Sequence, residues 1–251
     1  MPRAETYESL LLASLEGAAS QPLEVIWLRL STPAYASSDR ARIESVYVPL
    51  AAALEARTLD GLIITGAPVE EIPFEAVTYW AELSALLQRA REVVPSTLGL
   101  CWGALALARL LEIDKLVFET KIFGVYPLEV SESDHPLLRA LAPTFLCPQS
   151  RYSGLSPADV AAAVDAGRAR VLAGSAAAGP VILESTDQRF LIHVGHPEYD
   201  AERLIFEYLR DYAANVPGVS APHDFDLDRP EATWRTASEH FFRSWCAFLR
   251  R

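Results

Sequence analysis

The chain has 251 residues, 51% of them apolar, with 33 acidic against 22 basic side chains and a formal net charge of −11. That composition supports a substantial core and excludes a disordered tail, and the acidic balance gives no general attraction to nucleic acid or an anionic membrane. No apolar run reaches the roughly 18 residues of a membrane span and no basic stretch leads into an apolar core, so the sequence predicts a soluble, cytoplasmic protein.

Helical periodicity over residues 5–17 leads into an apolar, β-rich run at Glu24–Leu30 (EVIWLRL). A second helical stretch at 40–56 precedes the strand-like Gly61–Gly66 (GLIITG), and a third at 76–92 precedes Thr97–Cys101 (TLGLC), after which 103–112 is again helical. This alternation predicts an α/β fold with a largely parallel sheet and helices on both faces. Later runs at Arg170–Ala173, Val181–Glu184 and Phe190–Val194 read as strands, the last two split by the turn-like Ser185–Gln188, and extend the sheet in a mixed sense. Residues 200–213 and 234–249 return to helical spacing, with the Pro- and Asp-rich stretch 216–230 as a loop between them. No linker divides the chain, which reads as one domain with a C-terminal helical extension at about 216–251.

The three cysteines, Cys101, Cys147 and Cys246, have no CxxC spacing, which speaks against a disulfide scaffold or a thiolate zinc site and predicts no bound metal. Cys101 differs from the other two. Gly99-Leu100-Cys101-Trp102-Gly103 is a G-x-C-x-G segment ending a strand and opening an Ala/Leu-rich helix, the cysteine form of a nucleophile elbow. The helix N-terminus favours a thiolate, and the backbone N–H of Trp102 can donate to a developing oxyanion. A buried structural cysteine is the commoner fate of this residue type, but the flanking glycines and the strand-to-helix context favour the nucleophile. Such a thiol needs a base held by a third group. His196-Pro197-Glu198 follows a strand, and in extended chain residues two apart point the same way, so His196 and Glu198 can approach one site together. His193 lies within the strand as a packed core residue, while His135, His223 and His240 read as exposed or structural.

Together with Asp60–Glu71 (DGLIITGAPVEE), Val77–Ala81 (VTYWA), Cys101–Ala104 (CWGA), Lys121–Tyr126 (KIFGVY), Pro148–Ser153 (PQSRYS), Gly195–Ala201 (GHPEYDA) and Trp234–Thr236 (WRT), these segments resemble, in order, the motifs of the homoserine O-acetyltransferase/O-succinyltransferase family over nearly the whole chain. The resemblance implies a flavodoxin-like, class I glutamine amidotransferase-like three-layer sandwich. It implies Cys101 as acyl-accepting nucleophile, His196 as general base and Glu198 as its partner. Lys121, Ser150 and Arg210 match the family's amino-acid substrate contacts, and Arg3 matches its basic residue after Met-Pro, a second oxyanion candidate beside Trp102. Arg210 falls about four helical turns after His196, and its guanidinium suits an α-carboxylate. Glu70 stands where the family distinguishes acyl donors, and a carboxylate there disfavours succinyl and favours acetyl-CoA.

The implied activity is ping-pong transfer of an acetyl group to the L-homoserine hydroxyl in methionine biosynthesis, with acetyl-CoA as co-substrate and no bound cofactor. Its partners are small molecules, with neither nucleic acid nor membrane, and a homodimer is compatible with it. The sequence departs from the family in three places. Met1-Pro2 opens the chain where the family carries a further strand, predicting a sheet without that first strand. Gln149 replaces a His, and Leu105 replaces a Gln, so the acceptor could be serine or another hydroxy amino acid. Succinyl transfer, a glutaminase-type amidotransferase and a truncated non-catalytic binding paralogue are the competing readings.

Overall fold

The computed structural model describes residues 4–33 and 40–250. Its centre is three short parallel strands, β3 (Leu62–Ile64), β4 (Thr97–Leu100) and β9 (Phe190–His193), with Gly99 of β4 opposite Ile64 on one side and Ile192 on the other. Every residue of β4 and β9 is buried, on both faces, as a sheet covered on two sides requires. Their carboxyl ends stand at one edge, where open α/β sheets form their crevices.

Helix α1 (Ala4–Ala18) comes first, followed by β1 (Leu28–Arg29), α2 (Arg40–Val46), β2 (Val48–Pro49) and α3 (Leu50–Ala56). Beyond β3 lies α4 (Trp80–Val93), which buries Leu83, Leu87 and Ala90, spaced as one helical face. Helix α5 (Trp102–Arg109) follows β4 directly and buries Trp102 through Ala108 on every side, because its sequence WGALALA has no polar face to offer water. The chain then forms β5 (Lys115–Val130), β6 (Thr144–Leu155), α6 (Pro157–Asp165), β7 (Ala169–Ser175) and β8 (Gly179–Ser185) before reaching β9. Helices α7 (Ala201–Ala213) and α8 (Arg235–Phe248) end it, and α8, which buries Phe241, Phe242, Trp245 and Cys246, packs on α1. No helix among the described residues is long and apolar enough to cross a membrane.

The seven-stranded sheet has the order β3-β4-β9-β8-β7-β5-β6. The expected parallel pairing is confined to β3, β4 and β9, and the mixed extension beyond them is wholly antiparallel. The antiparallel share is therefore larger than the strand–helix alternation suggested. The long β5–β6 hairpin accounts for much of the difference: Gly124 and Pro127 interrupt β5 and hide its strand character in sequence. The hairpin sets Phe123 opposite Ser150 and Ile122 opposite Arg151, so the KIFGVY and PQSRYS segments face each other.

Two expectations change in the N-terminal part. The helix at 40–56 is broken into α2 and α3 at Val48-Pro49, since Pro49 has no N–H and its ring disfavours helical geometry in the residue before it. The strand at Glu24–Leu30 is reduced to β1, which pairs in parallel with β2 and not with the main sheet. Among the described residues nothing pairs with the outer edge of β3. A cavity of about 1370 Å³, lined by Leu28, Leu30, Ile63 and Ile64 among others, lies between that edge and β1.

Helix α7 starts where Asp200, in extended geometry, accepts a hydrogen bond from the Arg203 N–H at 2.7 Å. This cap fixes the helix relative to His196, four residues earlier. Asp200→Ala should lower stability by about 1 kcal/mol, read as a fall in the urea midpoint with an unchanged slope.

Candidate active site

Cys101 has φ 51° and ψ −113°, a backbone conformation that L residues rarely adopt. The neighbouring glycines make it attainable. A Cβ on Gly99 would lie 2.5 Å from the Gly103 carbonyl oxygen, and one on Gly103 only 2.0 Å from that of Ile64, so α5 touches both β4 and β3 through glycine backbone. The Cys101 N–H donates to the His193 carbonyl at 3.0 Å, and its own carbonyl accepts from Ala104 and Leu105 as α5 begins. Trp102 is the first residue of that helix, where backbone N–H groups have no intrahelical partner. Its ring is buried and stacks on Phe74.

His196 and Glu198 meet at this turn. The His196 Nδ1 is 2.7 Å from Glu198 Oε1, its ring stacks on Tyr199 with centroids 4.0 Å apart, and its N–H donates to the Pro148 carbonyl at 2.9 Å. The Cys101 thiol lies within hydrogen-bonding reach of the same imidazole. Burial opposes an imidazolium here, but the charges of Cys101 and Glu198 and their hydrogen bonds outweigh it and hold the His196 pKa well above the usual histidine value. Imidazole and carboxylate thus form a hydrogen-bonded pair with the thiol beside it, and the common direction of His196 and Glu198 is the one their alternate spacing predicts.

Lys121, Ser150 and Arg210 also converge, and what gathers them is a pair of carboxylates that sequence reasoning missed. Ser150 Oγ donates to Glu207, Tyr199 Oη donates to Glu207 at 2.9 Å, and Arg203 reaches it at 3.0 Å. Lys121 Nζ is 2.8 Å from Asp211 and 3.8 Å from Glu207, while Arg210 pairs with Asp211 at 2.6 Å and lies 3.7 Å from Glu207. Burial pushes the Glu207 pKa up, yet His196, Lys121, the Ser150 hydroxyl and Arg203 together bring it down to about 2. Arg210 is half exposed at the rim of the cluster. The available signal was spacing: Arg203, Glu207 and Asp211 recur at i, i+4 and i+8, a charged stripe on the buried face of α7.

Glu70 is held in place. Its carboxylate accepts from the backbone N–H groups of Tyr152 at 3.0 Å and Ser153 at 3.2 Å, and its carbonyl accepts from Ser153 Oγ and Lys115 Nζ. Burial raises its pKa, against those two backbone hydrogen bonds and the nearby charge of His196. The same segment passes over the thiol, since a Cβ on Gly66 would sit 3.5 Å from that of Cys101.

The other candidates separate cleanly. Cys147 is fully enclosed, and burial, followed by the Glu198 charge, pushes its thiol up to about 12, which leaves it no nucleophilic thiolate near neutrality. Burial and the neighbouring His196 lower His193 to about 3, a neutral core histidine set edge-on to Phe241. His135 is buried against Glu184 at 3.1 Å, and His223 stacks on Tyr126. Gln149 is buried, donating to Cys147 Sγ and accepting from Arg151 Nε at 2.8 Å, and Leu105 is a core residue of α5. Arg3 lies outside the described residues.

The sequence profile of the family described as homoserine O-succinyltransferase matches residues 1–250. A homoserine O-acetyltransferase of Geobacillus kaustophilus is 36% identical over 250 residues, 98% of this chain and 81% of the relative. A homoserine O-succinyltransferase of Photobacterium profundum is 37% identical over 194 residues, 75% of this chain and 61% of the relative. Among solved structures, a glutamine amidotransferase from Thermotoga maritima superposes with a TM-score of 0.58 at 14% identity, covering 82% of this chain and 86% of its own. One from Methylobacillus flagellatus gives 0.56 at 15% identity, covering 83% and 87%. These structural likenesses establish a class I glutamine amidotransferase-like α/β fold. With that fold, and with sequence similarity along almost its entire length, the chain belongs to the homoserine O-succinyltransferase family, whose members are homoserine O-acyltransferases using acetyl or succinyl groups.

Proposed function

We propose that the protein transfers an acetyl group from acetyl-CoA to the hydroxyl of L-homoserine, through an acetyl-Cys101 intermediate, as a cytoplasmic step of methionine biosynthesis. The observation that carries this reading is the line Cys101–His196–Glu198 with the fixed carboxylate of Glu70 beside it. In the first half-reaction the Cys101 thiolate adds to the thioester carbonyl, and backbone N–H groups at the start of α5 receive the oxyanion. Collapse expels the CoA thiolate, which takes the proton of the His196 imidazolium. In the second, neutral His196 accepts the proton of the acceptor hydroxyl as its oxygen attacks acetyl-Cys101. The thiolate then leaves and the proton remains on His196.

The cluster on α7 suits an amino-acid acceptor. Lys121 and Arg210 supply positive charge for a carboxylate, and Glu207 and Asp211 supply negative charge for an ammonium group, within one group of contacts. Incubation with acetyl-CoA should give an acetyl adduct on Cys101, seen by intact-protein and peptide mass spectrometry. Cys101→Ser and His196→Ala should each abolish transfer, and the double variant should be no worse than either single one, because the two act as a unit. An adduct on Cys147 or Cys246 with a silent Cys101 would remove the mechanism.

The donor preference follows from Glu70. Its charge opposes the terminal carboxylate of succinyl-CoA in a partly desolvated place, where like charges can cost several kcal/mol. Acetyl-CoA escapes this. Glu70→Gly should therefore raise the succinyl-to-acetyl ratio of kcat/KM. Because burial raises the Glu70 pKa, its charge is lost at a higher pH than that of an ordinary glutamate as pH falls, so the wild-type discrimination should weaken toward acid. Wild-type protein that prefers succinyl-CoA would overturn the donor assignment.

A further inference from the structure

We propose that Tyr7 is a positioning residue of the reacting set, acting through Glu198 to hold down the basicity of His196. This rests on reading Cys101, His196 and Glu198 as the reacting groups. Tyr7 opens a buried stripe on α1 that continues through Leu11, Leu15 and Ala18. The three later residues belong to the core, where any apolar side chain of the right shape would serve. Tyr7 carries the ring of that stripe to the carboxyl edge of the sheet, and its hydroxyl donates to Glu198 Oε1 at 2.9 Å in a buried setting.

That oxygen is the one His196 Nδ1 also meets, at 2.7 Å. The other oxygen, Glu198 Oε2, is buried and has no hydrogen-bond partner among the described residues. Both hydrogen bonds to this carboxylate therefore compete for one atom, and one of the two comes from Tyr7. A carboxylate that shares its charge with a phenol attracts the imidazole N–H less strongly, so the imidazolium is less stabilised and His196 gives up its proton at lower pH. Burial first, and then the Glu198 charge, raise the Tyr7 pKa, so the phenol remains a donor across the working range.

The other charged or titratable groups that act on His196 are Cys101 at the elbow, Glu70 in the segment after β3, His193 on β9 and Glu207 on α7, with Tyr199 stacked on its ring. Replacing Tyr7 by phenylalanine keeps the buried ring, leaves all of these in place and removes one hydroxyl.

The test reads the imidazole and not turnover, so it stands apart from the acyl-transfer assignment. In 15N-histidine-labelled protein carrying Cys101→Ala, which removes the thiolate, His196 is titrated by NMR and assigned by its loss in His196→Ala. Adding Tyr7→Phe should move the His196 midpoint upward by about half a pH unit or more. In a Glu198→Gln background the same substitution should leave the midpoint where it was. An unmoved midpoint in the first pair, a downward movement, or an equal upward movement in both backgrounds would overturn the proposal.

Discussion

The left-handed turn at Cys101 is the constraint on which the rest of the molecule depends. A non-glycine residue held at φ 51° stores about 1–3 kcal/mol of strain, and such strain persists only where the surroundings over-determine it. Here they do so by contact. Gly103 lies against the Ile64 carbonyl and Gly99 against the first turn of α5, so strand, helix and neighbouring strand meet without side chains between them. The helix is apolar on all sides and buried nearly throughout, which offsets the strain many times over.

The parallel register carries this constraint outward. Gly99 is paired with Ile64 and Ile192 at once, so β3, β4 and β9 end together and the residues that follow each of them crowd one place: Gly66 and Glu70 after β3, Cys101 after β4, His196 and Glu198 after β9. The antiparallel half of the sheet serves a different purpose. Its hairpin brings Ser150 and Lys121 to the same edge from the side and lends the backbone of Tyr152 and Ser153 to hold Glu70. Glu70 is thus a tethered carboxyl group in a tight site, where a loose loop residue would adjust to any ligand.

What was legible in the sequence is what local chemistry dictates. The glycines around Cys101 declare the turn because no other residue fits there, and the alternate spacing of His196 and Glu198 declares their common direction because extended chain repeats every second residue. The short buried strands and the helices α1, α4, α7 and α8 follow from period alone. Non-local features were illegible for matching reasons. The strand at Glu24–Leu30 shrank because apolar chain without a neighbour to pair with does not become sheet, and β5 went unseen because Gly124 and Pro127 break its pattern. The role of Glu207 depends on Ser150, Tyr199 and Lys121, which other elements bring to it. Nothing local marks the hydroxyl of Tyr7, which meets a carboxylate 191 residues away.

The electrostatics of His196 tie these pieces to the proposed cycle. Burial lowers its proton affinity, and the largest force in the other direction is the charge of Cys101, ahead of Glu198. In the proposed cycle a thiolate and an imidazolium would support each other before acylation, the state an incoming thioester needs. Acylation, as proposed, would leave a neutral thioester at Cys101 and so remove the largest of the raising contributions. Burial is untouched by that step, and its opposition to the imidazolium remains. His196 in such an acyl-enzyme would accordingly be easier to deprotonate, at the stage when a neutral base must take the acceptor's proton. In the proposed cycle the same imidazole would then serve as acid in the first half-reaction and as base in the second, its proton affinity set by whether the neighbouring sulfur carries a charge.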